Sequence, residues 1–176
     1  MSGGKPLKTV PPWSKLKGKG GIAMKKTAIV YFSSHHGNTR KLVEGIRAAL
    51  GDITLIDVVR EKPDLTEYDC VGFASGIYAF HFGKPLRDYM EAALPPDKEV
   101  FLLYTYGKLM GDYAKSARDI VLARGCTLLG EHGCLGYDTF GPLKLVGGIA
   151  KGHPDGADIG AAADFVAGCL GGKEQA

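Results

Sequence analysis

The sequence predicts an α/β domain: a doubly wound, five-stranded parallel sheet in the order 2-1-3-4-5, with helices on both faces. Three observations carry this prediction. Short apolar runs rich in β-branched and aromatic residues recur along the chain, as strands buried on both faces require. Amphipathic stretches separate them, the alternation that builds parallel sheets. The units are short, and right-handed crossovers leave few ways to connect them. With 176 residues, the chain suffices for one well-buried core and falls short of two ordinary domains.

Thr27–Phe32 (TAIVYF) is the first strand, apolar almost throughout. After SSHHGN, the residues Leu42, Val43, Ile46, Ala49 and Leu50 recur at one-face spacing, and Gly51 ends that helix. Ile53–Val59 reads as the second strand and Cys70–Ala74 as the third. The interval between them is short and contains Pro63, so it predicts one or two turns rather than a full crossover helix. Pro85 suits a first helical turn, with Leu86, Tyr89, Met90, Ala93 and Leu94 on one stripe and Pro95-Pro96 as the stop. Val100–Thr105 is the fourth strand. Asp112 is placed to cap a helix carrying Ala117, Ile120 and Val121, closed by Gly125. Thr127–Cys134 is more mixed, as an edge strand would be. The Gly-rich connection Leu135–His153 leads to a last helix from about Pro154, with Asp155 near its N-terminus and Ile159, Ala162, Ala163, Val166 and Leu170 facing the core.

The net charge of +3 conceals an asymmetry. Residues 1–23 hold five lysines and no acid, which leaves the remainder at −2. That weakens any nucleic-acid reading based on overall charge. The Gly/Pro/Lys-rich leader has no apolar periodicity and no apolar stretch of the secretory kind. It is read as a disordered basic extension or tag, or an upstream start ahead of Met24. The domain itself is assigned to residues 24–172, and 173–176 to a short tail. No run approaches the ~20 apolar residues of a membrane span. Cys70, Cys126, Cys134 and Cys169 form no CxxC pair, which fits free thiols in a reducing cytoplasm rather than a zinc or disulfide scaffold.

Ligands of open parallel sheets bind beyond the carboxyl ends of the strands, where the strand order reverses. There the first loop reads Ser34-His35-His36-Gly37-Asn38-Thr39 and opens directly into a helix. A helix N-terminus offers amide donors and a favourable dipole to a phosphate. Gly37 permits close backbone approach, and Ser34 and Thr39 add hydroxyls. Neither GxxxxGK[ST] nor GxGxxG occurs here. The loop after the third strand, Ser75-Gly76-Ile77-Tyr78-Ala79-Phe80-His81-Phe82, combines aromatic faces with glycine-exposed backbone, suiting a flat ring. The aromatics serve equally well as plugs above the sheet. His35-His36 lacks the further ligands a metal site needs, so no metal is expected. No nucleophile or general acid is identifiable, so no catalytic residue is assigned.

The segment VYFSSHHGNTRKLVEGI resembles the N-terminal signature of flavodoxin-like proteins, and the resemblance extends over Met24 to Leu170. It departs at Val43, where the pattern usually has alanine, and in the His35-His36 filling of the loop. The resemblance implies FMN as cofactor, its phosphate held by Ser34, His35, His36, Gly37, Asn38 and Thr39. Gly76, Ile77 and Tyr78 would line the ring near its redox-active nitrogen, beside Ser75, with Tyr78 or Phe80 as stacking partner. Thr105, Tyr106 and Gly107 would meet the pyrimidine edge, where Lys108 could add positive charge. Tyr137, Asp138 and Phe140 would cover the flavin or form a partner surface.

The resemblance thus implies a cytoplasmic electron carrier working between redox partner proteins. An NAD(P)H-dependent FMN oxidoreductase of the quinone-reductase type, fed by a nicotinamide donor, is the alternative, because one fold supports both. Flavodoxins are usually markedly acidic, and a body at −2 is not. A cofactor-less scaffold module is the third reading.

Overall fold

The computed structural model describes residues 25–171. The basic extension at 1–23 and the tail at 173–176 lie outside the described residues. β1 (Thr27–Phe32) leads through a one-turn 3-10 segment, His35–Gly37, into α1 (Asn38–Leu50). β2 (Ile53–Asp57), β3 (Cys70–Tyr78), a two-residue β4 (His81–Phe82), α2 (Lys84–Ala93), β5 (Glu99–Tyr106), α3 (Lys115–Ala123), β6 (Thr127–Leu135) and α4 (Gly156–Leu170) follow. The main sheet runs β2-β1-β3-β5-β6 and every pairing along it is parallel. This is the expected 2-1-3-4-5 order. β4 lies off that path as an antiparallel hairpin on β3, pairing Ile77 with Phe82 and Tyr78 with His81.

Strand residues alternate between two apolar layers, because successive side chains of a strand point to opposite faces. Ile29, Tyr31, Phe101 and Leu103 pack against Leu42, Val43 and Ile46 of α1 and Ala162, Ala163 and Val166 of α4. Val30, Phe73 and Leu102 pack against Leu86, Tyr89 and Met90 of α2 and Ala117 and Val121 of α3. The β2–β3 connection has hydrogen-bonded turns and no helix. It covers its face of the sheet with buried Val58, Leu65 and Tyr68. Lys98 Nζ donates to the carbonyls of Thr66 (2.8 Å) and Tyr68 (2.7 Å), satisfying a chain with no helical ladder of its own.

Three expectations shift. β3 runs to Tyr78, four residues past the predicted Ala74: Ser75 and Gly76 still pair within the main sheet, and the hairpin with β4 supplies partners for Ile77 and Tyr78. β2 stops at Asp57 rather than Val59, where the chain turns. Asp112 is not the N-cap residue of α3, a position Ala114 holds. Its carboxylate forms a fork-to-fork pair with Arg118 (2.9 and 3.0 Å), the geometry that makes arginine–carboxylate pairs strong, with the Ala114 and Lys115 amides as a lesser influence. Arg118 above all holds the Asp112 carboxyl below its ordinary range. At α4 the expected role of Asp155 holds: it caps the helix, accepting from the amides of Ala157 (2.9 Å) and Asp158 (3.0 Å). Asp158 answers by accepting from the Asp155 amide (2.8 Å) and pairing with His153 Nδ1 (2.6 Å). This capping box accounts for the gathering of His153, Asp155 and Asp158. No helix of the described residues is long and apolar enough to cross a membrane.

Burial pushes the Cys70 and Cys134 thiols up to about 12 and Cys169 up to about 11, so none of the three is a ready nucleophile. Native-state labelling at about pH 8 should accordingly be slow at Cys70 and Cys134 and complete on denaturation; rapid labelling of either in the folded protein contradicts this burial. Gly72 of β3 leaves room for the Phe101 ring, which any Cβ there would overlap. Gly72→Val should cost about 1–3 kcal/mol by overpacking. Gly160→Ala, with open space around its methyl, should stabilise α4 by about 0.5–1 kcal/mol. Urea midpoints at unchanged m-value report both.

Candidate functional site

The carboxyl ends of β1, β3 and β5 open into one cavity of about 1020 Å³. Four segments wall it: the turn after β1, the β3–β4 hairpin, the loop after β5 and the long connection after β6.

The first wall is a tight reversal. Ser34 enters it at φ −110°, His36 (φ 59°) and Gly37 (φ 67°) are left-handed, and Asn38 (φ −55°) is back in the helical region. A left-handed residue followed by a right-handed one turns successive amides towards one concave side, the arrangement that receives anions. Glycine meets this requirement at 37 without strain, whereas His36 adopts it as a non-glycine residue. The turn is tied down on every side. Ser33 Oγ accepts from the Arg40 amide (3.2 Å), and the hydroxyls of Thr39 and Thr105, both buried, lie 3.0 Å apart. Asn38 Nδ2 donates to Tyr137 O (2.8 Å), and His36 Nε2 meets Thr139 Oγ1 at 2.8 Å. The His36 ring also packs on Tyr137, with centroids 4.5 Å apart.

The second wall is the hairpin. Ser75 is fully buried; its Oγ donates to Gly76 O (2.6 Å) and accepts from the Gly83 amide (2.8 Å), which closes the hairpin base. At the tip, Ala79 (φ 48°) and Phe80 (φ 69°) are both left-handed, a conformation costing non-glycine residues roughly 1–2 kcal/mol each. The Tyr78 ring leans towards β1, 5.4 Å from Phe32, and its hydroxyl sits on Ser34, 2.7 Å from Oγ and 3.3 Å from the amide. Phe80 instead stacks near Tyr113, with centroids 6.2 Å apart and planes inclined by 29°.

The third wall runs from Thr105 to Tyr113. The Tyr113 hydroxyl donates to Lys108 O (2.5 Å) and accepts from the Met110 amide (3.0 Å), tying the loop into a closed curl. Arg118, bonded to both Asp112 and Glu131, anchors its far end. Gly107 lies so close to Asp138 that an added Cβ would come within 2.6 Å of that side chain. The fourth wall returns antiparallel on itself through the Asp138–Ile149 bridge, and the Tyr137 hydroxyl donates to Gly147 O (3.1 Å).

Of the fourteen residues singled out from sequence, eleven line the cavity: His35, His36, Asn38, Thr39, Gly76, Ile77, Tyr78, Phe80, Thr105, Tyr106 and Gly107. Ser34, Gly37 and Ser75 do not line it: Gly37 shapes the turn, and the hydroxyls of Ser34 and Ser75 are engaged within the walls. Tyr78 faces the first turn rather than standing as an open stacking platform. Sequence reasoning missed Met110, Tyr113 and Leu143. Tyr113 was detectable as an aromatic flanking a glycine-bounded loop; Leu143 had no local signal, since the connection folds back over a distance no periodicity records.

A family profile described as "Flavodoxin domain" matches residues 29–107. An uncharacterized protein of Methanocaldococcus jannaschii, MJ0298, is 39% identical over 144 residues, which are 80% of this chain and 95% of the relative. Among solved structures, a flavodoxin from the domain Archaea is similar at a TM-score of 0.61 and 18% identity, covering 82% of this chain and 96% of that one. A Fusobacterium nucleatum flavodoxin mutant bound to flavin mononucleotide follows at 0.58 and 14%, covering 81% and 94%. The profile match from the first strand to the turn after β5, together with a relative 39% identical along four-fifths of this chain, places the chain in the flavodoxin-like family.

Proposed function

We propose that the protein holds FMN in this cavity and acts as a cytoplasmic electron carrier between redox proteins. The observation carrying the reading is the union, in one cavity, of an anion-receiving turn with an aromatic, glycine-walled slot. A phosphorylated flat ring needs both ends at once. The donor chemistry fits. The amides of the 35–39 turn would take the phosphate, with Gly37 permitting the backbone reversal. Gly76 and Ile77 would present main chain to the ring, and Thr105, Tyr106 and Gly107 would meet its polar edge. Tyr113 and Phe80 would exclude water from the slot. The FMN-bound state of the Fusobacterium nucleatum flavodoxin supports the choice of cofactor.

When bound, FMN supplies the electron-transfer chemistry. The chain binds and orients it, shields it from solvent, and with Lys108 sets a positive charge beside Gly107. The Tyr78 hydroxyl occupies the donors of Ser34, so phosphate binding is assigned to the amides further along the turn rather than to the Ser34 hydroxyl.

Purified protein should take up FMN stoichiometrically and turn yellow. Gly37→Val should weaken FMN by about tenfold to a hundredfold, since a β-branched residue cannot hold this φ without strain. Far-UV circular dichroism should be unchanged, because open space surrounds that position. Unaltered affinity in a fluorescence titration would overturn the phosphate assignment, and protein that takes up no FMN would favour a scaffold role. Sustained NAD(P)H oxidation with a quinone and no protein partner would replace the carrier reading with a reductase.

A further inference from the structure

We infer that the mouth of this cavity is a docking surface for an acidic redox protein, an inference that rests on the electron-carrier reading above. Among the described residues, eight large apolar side chains are exposed, and six stand on the loops around the cavity: Phe80, Leu109, Met110, Phe140, Leu145 and Val146. Three of them crown the short 3-10 turn at Gly141–Val146 or its entrance, where Phe140 is 84% and Leu145 90% exposed. A concentration of this kind around one opening marks an interaction site, whereas single exposed apolar residues do not.

The charge at this rim sets the partner's sign. Lys108, Lys144 and Lys151 project from the same loops, and among the described residues none of them has an ion-pair partner. Of the three carboxylates on these loops, Asp112 is neutralised by Arg118 and Asp155 is engaged in capping α4. Asp138 remains, with Oδ1 accepting from the Phe140 amide (2.8 Å). The rim is therefore apolar and basic, although residues 24–176 net −2. The remainder of residues 24–176 is correspondingly acidic, so within this part of the chain the charge asymmetry favours a negative partner at the cavity mouth. An apolar centre ringed by lysines is the anatomy of a small transient protein interface. A membrane surface fits less well, since interfacial helices present a longer continuous apolar face than this six-residue turn.

The test measures complex formation of the full chain, with and without FMN, by calorimetry. Its probes are a small acidic two-cluster ferredoxin and, as a basic control, cytochrome c. The inference expects a weak complex with the ferredoxin, at least tenfold looser at about 300 mM than at about 20 mM salt. Lys144→Glu with Lys151→Glu should weaken it about tenfold, Phe140→Ser with Leu145→Ser should weaken it at both salt concentrations, and cytochrome c should bind less well than the ferredoxin. Absent ferredoxin binding, tighter binding of cytochrome c, or indifference to either double variant overturns the inference. Loss of cosedimentation with phosphatidylserine-containing vesicles in the same variants, without ferredoxin binding, overturns it in favour of a lipid surface. FMN uptake is scored separately: uptake without a complex sinks the docking surface alone, and a complex without uptake sinks the carrier reading alone.

Discussion

The reversal between β1 and α1 is the constraint from which the rest of the site follows. A parallel strand entering a helix must turn within a few residues, and here it does so through two left-handed positions. Such a turn is costly in isolation and persists because its surroundings over-determine it. The buried Thr39–Thr105 contact locks it to β5, Asn38 and His36 lock it to the connection after β6, and Tyr78 locks it to the hairpin after β3. The same contacts therefore hold the turn open towards the cavity and bring the four walls into one register. Removing any one of them disturbs two walls at once.

The division of labour between backbone and side chains explains what could be read from sequence and what could not. Strand order, layers and the first turn were legible because they depend on local signals: TAIVYF as a doubly buried strand, one-face spacing after Asn38, glycine at the helix entrance. Two details were lost for the same reason. The last two residues of β3, Ile77 and Tyr78, depend on pairing with His81-Phe82, whose pattern is too short to show a period. Asp112 has the residue type of a cap, but an arginine six positions on takes its carboxylate as a bidentate pair, and the backbone amides of Ala114 and Lys115 are the lesser influence on it. Asp155, with no arginine paired to it, behaved as its type predicts.

Within the site, residue type was informative and orientation was not. Ser75 and Ser34 were polar residues in binding loops, which suggested ligand contact; Ser75 is fully buried at the hairpin base and Ser34 is engaged by Tyr78. A buried hydroxyl such as that of Ser75 must find partners within the protein, and the exposed Ser34 is likewise engaged within the walls. Tyr78 shows the limit most clearly. Its ring could have faced either loop, and only the space left beside Gly76 lets it fold back, since a Cβ at that position would meet its hydroxyl at 2.9 Å. The glycine read from sequence as an opening for a ligand is, in three dimensions, also an opening for the chain itself.

That double use bears on how a cavity of this kind can be both firm and accessible. Its inner end is held by buried hydroxyl pairs and backbone curls, whose rupture would leave polar groups unsatisfied. Its outer end is built from Phe80, Met110 and the turn at Gly141–Val146, which carry exposed apolar surface and few contacts with the core. Regions with few buried apolar contacts open at lower free energy than the core. Rigidity is therefore concentrated where an anion would be gripped, and compliance where a partner would meet the rim. The proposed carrier role would call for that gradient: a ligand held at the firm end, behind a surface that can adapt to what it touches.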